Sequence, residues 1–351
     1  MSEQSLSGTD QKPRFSLRLR SDHLFIRILT AIALSMVCAA ALVALSGHSP
    51  IEAFQALIIG AFGSPHDIGV SLNRATPYLF AGAGLAFCFR AGIINMGADG
   101  QIALGGIGTA ATILFWPGEP GLLAAIVALL CGALCGALWS GIATAIHLGR
   151  HVHEVLATLL LNFVALLLVQ QVLAGALGQR GAGFLQSPAM PRSVWLWRAP
   201  EFGFHLGIAI AVIAALALSF VLWKTPFGFA VRVSGLSRSA TSYAGFSVPA
   251  ITWSVMGVAG GLSGLAGGVQ VLGLNHRLIE GFANGFGFKA ITVALLGAIE
   301  PAAVIPAAIF VGVLEAGSQS MQRHIGVSSA LVVVIEGITM LFILAATVRR
   351  S

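Results

Sequence analysis

Long apolar runs separated by short polar breaks make up most of the chain, and the length of those runs carries the first prediction. About 20 apolar residues, each rising 1.5 Å along a helix, cross the hydrocarbon core of a bilayer. Runs of that order occupy residues 24–45, 71–89, 101–116, 121–146, 155–177, 206–223, 251–272 and 328–348. Residues 288–317 are too long for one span and are interrupted at Glu300-Pro301. Proline lacks a backbone donor and disfavours helix in the residue before it, so a short or tilted segment followed by a second helix is expected there. Residues 51–62 are too short to span and are placed at the outer surface. The pattern predicts an all-α, polytopic membrane protein of about ten membrane-embedded helices.

One polar, basic stretch breaks the rhythm: residues 224–246, KTPFGFAVRVSGLSRSATSYAGF. Thr225-Pro226 can open a helix, because proline at the first helical position forfeits only a donor that has no partner anyway. Phe229, Val231, Val233 and Leu236 interleave with Arg232, Ser234 and Arg238, and Gly245 suits a helix stop. Such a helix lies along the membrane surface and either enters a groove of a partner protein or rests on lipid headgroups. Residues 1–23 read as a cytoplasmic tail, and residues 24–348 as one membrane domain that contains the insertion. No repeat with a period of 20–50 residues is evident.

Composition agrees. Hydrophobic residues make up 57% and charged residues 9% of the chain, against about 25% charged in soluble domains; mean hydropathy is +0.90. Only 2 tyrosines occur, and the apolar runs lack alternation, which excludes a barrel with aromatic girdles. The 43 glycines fit helices packed closely in lipid. The net charge of +6 reflects basic residues in inner loops rather than nucleic-acid binding. With the N-terminus inside and ten alternating segments, inner regions take 12 of the 19 Lys and Arg, among them Arg90, Arg150, Lys224, Arg232 and Arg238; outer regions take 7, among them Arg74, Arg180 and Lys289. Cys38, Cys88, Cys131 and Cys135 all fall in apolar segments, at spacings that suit neither a redox pair nor zinc. No metal site is expected.

Three constellations could carry chemistry. The first joins two apolar runs through Arg90, Asn95, Gly97, Asp99, Gly100 and Gln101. It is either a broken helix lining a path, tolerated at depth only where protein or water satisfies the backbone, or a plain turn capped by Asn95 and Asp99. The second is the insertion. The third is the set of carboxylates in apolar context, Glu300, Glu315 and Glu336, with Asn162, Gln170 and Gln171 as neutral companions; ionisable groups at that depth mark functional sites by default. Gly261-Leu-Ser263-Gly264 matches the GxSG string of rhomboid-type intramembrane proteases, but that chemistry needs a histidine base beside the serine. The same glycines form Gly260-xxx-Gly264 and Gly264-xxx-Gly268, a close-packing face. No GxxxxGK[ST] phosphate loop is present.

In order along the chain stand ATPYLFAGAGLAFCFRAGIINMGADGQ (75–101), HEVLATLLLNFVALLL (153–168), GFLQSPAMP (183–191), GFAVRVSGLSRSATSYAGF (228–246) and GFANGFGFKAITVALLGAIEP (281–301). Together they resemble the permease subunits of bacterial ATP-binding-cassette (ABC) importers for branched-chain amino acids, ribose-type sugars and nucleosides. The likeness is strongest to the larger permease of nucleoside importers that work with a basic-membrane-protein type binding lipoprotein. This resemblance implies a non-catalytic subunit in the bacterial inner membrane with both termini cytoplasmic, forming half of a pathway for nucleosides. It implies three protein partners: a cytoplasmic ABC ATPase, a second permease completing a heterodimer, and an external solute-binding lipoprotein. No cofactor is expected on this chain, since ATP and Mg²⁺ belong to the ATPase. Carried over by position, Arg232, Gly235, Ser237, Ala240, Tyr243, Ala244 and Gly245 form the segment that couples to the ATPase. Asn95, Gly97, Asp99, Gly100 and Gln101 match the interrupted helix, and Glu154 and Asn162 the segment after the inner loop. Asn95, Gly97, Asp99, Gln101, Asn162 and Phe286 are the expected solute-pathway residues. The chain departs from the family pattern at His153, Ser237 and Thr241. Sugar or amino-acid cargo, an ion-coupled transporter using the three glutamates, and a protease using Ser263 are the alternatives.

Overall fold

The computed structural model describes residues 21–283 and 285–347, and side chains between 30 and 346. Most of the expected tail at 1–23, with its basic residues through Arg20, lies outside the described residues, as does the domain's expected end at 348. Thirteen α-helices occur among the described residues: α1 Ser21–Leu45, α2 Pro50–Phe62, α3 Pro65–Arg90, α4 Ala98–Leu114, α5 Leu122–Arg150, α6 Glu154–Ala174, α7 Gly207–Lys224, α8 Pro226–Leu236, α9 Arg238–Tyr243, α10 Val248–Val269, α11 Phe286–Leu296, α12 Val304–Ile325 and α13 Ser329–Thr347. A π-helical stretch, Gln270–Asn275, continues α10. The only β pairing among the described residues is two isolated bridges. The fold is all-α and polytopic.

By length and composition six helices can cross a membrane, or seven if α1 and α2, bent by 119°, count as one broken span. The expected ten is therefore not reached by that measure. The difference lies in α3, which carries too many polar positions, in α4, one residue short, and in α11, with only 11 residues. The short α2 does not rest apart on the surface. Ser49 and Ser64 cap α2 and α3, each followed by proline at the first turn. The bend turns Ala53, Gly60 and Ala61 inward, and Gly60 lies against Ser320 of α12.

Helix α3 is the axis: every residue from Ala75 to Cys88 is buried. Helices α10 and α12 are mostly buried beside it, whereas α5, α6, α7 and α13 turn most of their surface outward. The tightest seam joins α4, α5 and α10. A Cβ on Gly264 would sit 2.3 Å from the carbonyl oxygen of Gly132; one on Gly136 would sit 2.3 Å from that of Gly260, and one on Gly105 2.2 Å from that of Gly264. Ser140 Oγ donates to the Met256 carbonyl at 2.7 Å across the same seam. The GxSG string thus works as a packing face. Ser263 is fully buried and its Oγ has no hydrogen-bond partner, so no base is positioned to activate it.

Arg74 and Lys289, assigned to outer loops from the sequence, lie on α3 and α11 instead. Arg74 reaches Glu315 of α12 at 3.5 Å, and Lys289 reaches Glu336 of α13 at 2.9 Å and Glu315 at 3.6 Å. Arg74 also donates to Gln319 at 2.9 Å, and the Tyr78 hydroxyl donates to Glu315. Two cations and two carboxylates neutralise one another, which is how charge is held inside an apolar bundle.

Candidate functional site

Between α3 and α4 the backbone unwinds over residues 91–97. Gly92, in the left-handed region at φ +73°, ends α3, and Ile93 N–H returns to the Cys88 carbonyl at 3.1 Å. The freed groups find side chains. Met96 N–H donates to Thr158 Oγ1 at 3.1 Å, Asn162 Nδ2 donates to the Met96 carbonyl at 2.8 Å, and Gly100 N–H donates to Asn162 Oδ1 at 2.9 Å. Asn95 Oδ1 accepts from Gly97 N–H at 2.8 Å and from Gln101 Nε2 at 3.2 Å. Asn95 is 0% exposed, so this is a buried polar knot and not a surface turn.

Asp99 is part of the knot in sequence but serves another helix. It leaves its own α4 without a side-chain cap and accepts from Gly287 N–H at 2.7 Å, at the start of α11, with Gly285 and Phe288 amides also facing it. A carboxylate among free N–H groups at a helix N-terminus is favoured by both hydrogen bonding and the helix dipole. A Cβ at Gly287 would meet Asp99 N at 2.3 Å, which explains the glycine there. Asp99→Ala is expected to lower stability by about 2 kcal/mol and Asp99→Asn by less. Thermal melts of the purified chain in detergent measure both.

The insertion forms two helices rather than one. Thr225 caps α8 and Pro226 opens it; Ser237 then breaks the helix and caps α9, its Oγ accepting from Ala240 N–H at 3.2 Å. Gly245, at φ +83°, ends the pair. Gly235, Ser237, Ala240, Tyr243, Ala244 and Gly245 are all exposed, Leu236 and Tyr243 to 89% and 97%. The sequence departures fall away from that face or serve the local fold. Thr241 is buried and donates to the Ser237 carbonyl, and His153 caps α6 beside the buried Glu154.

Beneath the insertion sits a cluster the sequence reading missed. The Arg232 guanidinium lies 4.5 Å, and that of Arg90 5.6 Å, from the ring centroid of Trp223, the penultimate residue of α7. Trp223 Nε1 donates to Glu300 Oε2 at 2.8 Å, and Ser219 Oγ donates to Glu300 Oε1 at 2.7 Å. Arg90 approaches Glu300 at 3.6 Å and donates to the Ile299 carbonyl at 2.7 Å. Ala298 and Ile299 are both left-handed, at φ 51° and 59°, a costly conformation for a β-branched residue. The cluster ties α3, α7 and α8 to the break between α11 and α12. Trp223 gave no sequence signal because a tryptophan at a span's end is what an interfacial belt supplies.

At the far end of α10 the loop of residues 178–206 folds over the π-helical stretch. Ser187 N–H donates to the Leu278 carbonyl at 2.8 Å, Arg277 to Gln186 Oε1 at 2.7 Å, and Trp195 stacks on His276 with centroids 3.6 Å apart. A cavity of about 220 Å³ opens here, bordered by Arg74, Gln270, Asn275, Glu280, Phe282 and Phe286 among others. Of the six sequence-predicted pathway residues, Phe286 borders it. Asn95, Gly97, Gln101 and Asn162 are gathered in the knot and closed over one another, while Asp99 beside them turns to α11. Among the described residues no cluster suits a metal ion.

A family profile for branched-chain amino acid transport system permease components matches residues 68–344. The chain is 32% identical to the guanosine ABC transporter permease protein NupP of Bacillus subtilis, over 94% of this chain and 96% of that one. It is 31% identical to the glucose ABC transporter permease protein TsgB13 of Haloferax volcanii, over 91% and 86%. To the nucleoside ABC transporter permease protein NupB of Lactococcus lactis subsp. cremoris it is 27% identical, over 90% and 89%.

Proposed function

This chain belongs to the family of branched-chain amino acid transport system permease components, and on that premise we propose that it is the membrane-spanning permease of an ATP-driven ABC importer for nucleosides. It forms half of the pathway, a second permease forms the other half, and a cytoplasmic ABC ATPase supplies the energy. An external binding lipoprotein delivers the solute. The insertion end faces the cytoplasm of a bacterial cell in this reading, and the chain itself does no catalysis.

The observation that carries the reading is the exposed α8–α9 pair, anchored through Arg232, Trp223 and Glu300 to a strained break between membrane helices. A docked partner that shifts α8 moves the Trp223–Glu300 contact, and with it the α11–α12 junction. Energy then enters as a difference in binding between two arrangements of the helices. For the cargo, the names of the guanosine and nucleoside relatives support nucleosides. The glucose relative, of nearly the same identity, favours sugar as the second reading. For the pathway, Phe286 is supported by the cavity it borders. The other five, all buried, reach a solute only if the α3–α4 linker moves.

The test is uptake of radiolabelled guanosine, uridine and glucose by proteoliposomes holding this chain with its ATPase, second permease and binding protein. ATP-dependent accumulation of the nucleosides, absent from liposomes holding the chain alone, is the expected result; accumulation by the chain alone in an ion gradient rejects the reading. Leu236→Ser combined with Tyr243→Ala removes two side chains that are almost wholly exposed. Uptake is expected to fall by about tenfold or more, with the melting temperature unchanged.

A further inference from the structure

Among the polar side chains bordering the 220 Å³ cavity at the end of α10, Gln270 stands apart from Arg74 and Glu280. Arg74 is engaged by Glu315 and Gln319, and Glu280 Oε1 accepts from Gln170 Nε2 at 2.6 Å. Gln270 is 2% exposed, yet neither Oε1 nor Nε2 of its carboxamide has a hydrogen-bond partner. A buried amide left unpaired is costly and needs an explanation in function. Gln270 also begins the π-helical stretch Gln270–Asn275, and π turns inside α-helices recur at functional sites. Two phenylalanines complete the border. Phe282 lies across Gly106, where a Cβ would meet its ring at 2.3 Å, and Phe286 packs edge-on to Tyr78 with centroids 5.5 Å apart.

The geometry points to a nucleobase-recognition subsite at Gln270, flanked by Phe282 and Phe286; this deepens, and rests on, the nucleoside-import reading. A carboxamide offers one acceptor and one donor side by side, complementary to the edge of a nucleobase; both atoms are covered in this structure, and a change of side-chain rotamer presents them to the base. Aromatic borders suit the apolar faces of a planar heterocycle. The cavity is smaller than the ~300–1,000 Å³ of pockets that take whole drug-sized ligands, so it receives the base while the pentose lies toward the opening, where Glu280 is exposed to accept from hydroxyls. Its position fits delivery from outside. Helix α10 leaves the insertion at Val248 and reaches Gln270 after 22 residues, about 33 Å away, on the side opposite the ATPase-facing end.

Gln270→Leu removes the carboxamide and keeps much of its bulk. Since neither polar atom of the amide has a hydrogen-bond partner within the chain, the Gln270→Leu complex is expected to melt no lower than wild type. Its uptake of labelled guanosine and uridine in the reconstituted importer is expected to fall about tenfold or more, because a site built to hydrogen-bond one group rejects poorly matched partners steeply. Should leucine's branch prevent assembly, Gln270→Met, unbranched and equal in length, carries the same expectation. Wild-type uptake of both nucleosides by the variant overturns the subsite and leaves the importer reading standing. Loss of uptake together with a lowered melting temperature also overturns it, since the amide is then structural. A wild-type importer that moves no nucleoside rejects the importer's cargo and the subsite together.

Discussion

A chain carrying Gly264→Ala is expected to lose its fold, while Gly257→Ala, two turns earlier on the same helix, is expected to keep or gain stability. The two substitutions add the same methyl group. At Gly264 it meets the Gly132 carbonyl oxygen at 2.3 Å and Gly136 Cα at 3.1 Å. Both are backbone atoms, so relief requires α5 and α10 to separate by roughly an ångström along their whole seam. Overpacking a core costs about 1–3 kcal/mol when side chains can yield; here they cannot, and about 4 kcal/mol or more is expected. At Gly257 nothing lies within 4 Å, and alanine gains up to about 1 kcal/mol of helix propensity over glycine. Accumulation of the two variants in membranes, followed by thermal melts in detergent, reads the contrast. Equal accumulation would show that the seam is looser than described.

Lys289→Met is expected to have the second largest effect. Lys289 bridges Glu336 at 2.9 Å and Glu315 at 3.6 Å; without it Arg74 still faces Glu315, but Glu336 loses its ion-pair partner. Removing one partner of a buried ion pair costs about 3–5 kcal/mol, because the remaining charge keeps its desolvation penalty without compensation. Adding Glu336→Leu to Lys289→Met removes the orphaned carboxylate as well and is expected to restore most of the loss. The double-mutant cycle separates the two possible meanings of the cluster. Restored stability and uptake mark a structural charge balance. Restored stability without uptake assigns the Lys289–Glu336 pair a part in transport, in line with the ion-coupled alternative.

Several features of the chain were legible from residue order. Thr225-Pro226 and Gly245 bounded the insertion correctly, since capping and left-handed turns depend on the residues at those positions. The glycine spacing on α10 marked a packing face, and Glu300-Pro301 marked the break between α11 and α12. Ser237 was the local miss: a serine inside a short amphipathic run caps a second helix when its hydroxyl turns back to the next turn's amide.

What the sequence alone determined is therefore the all-α membrane class, the placement of the breaks and the exposed segment between α7 and α10, because hydrophobic length, proline and glycine act within a few residues. Tertiary structure decided the rest. It made Asp99 the cap of a helix 188 residues away, placed Arg74 and Lys289 against glutamates instead of in loops, stacked Arg232 on Trp223 and left the Gln270 amide unpaired. Each of these depends on which distant helix supplies the neighbour, and in an apolar bundle a polar group's state is set by that neighbour because neither lipid nor water is there to satisfy it.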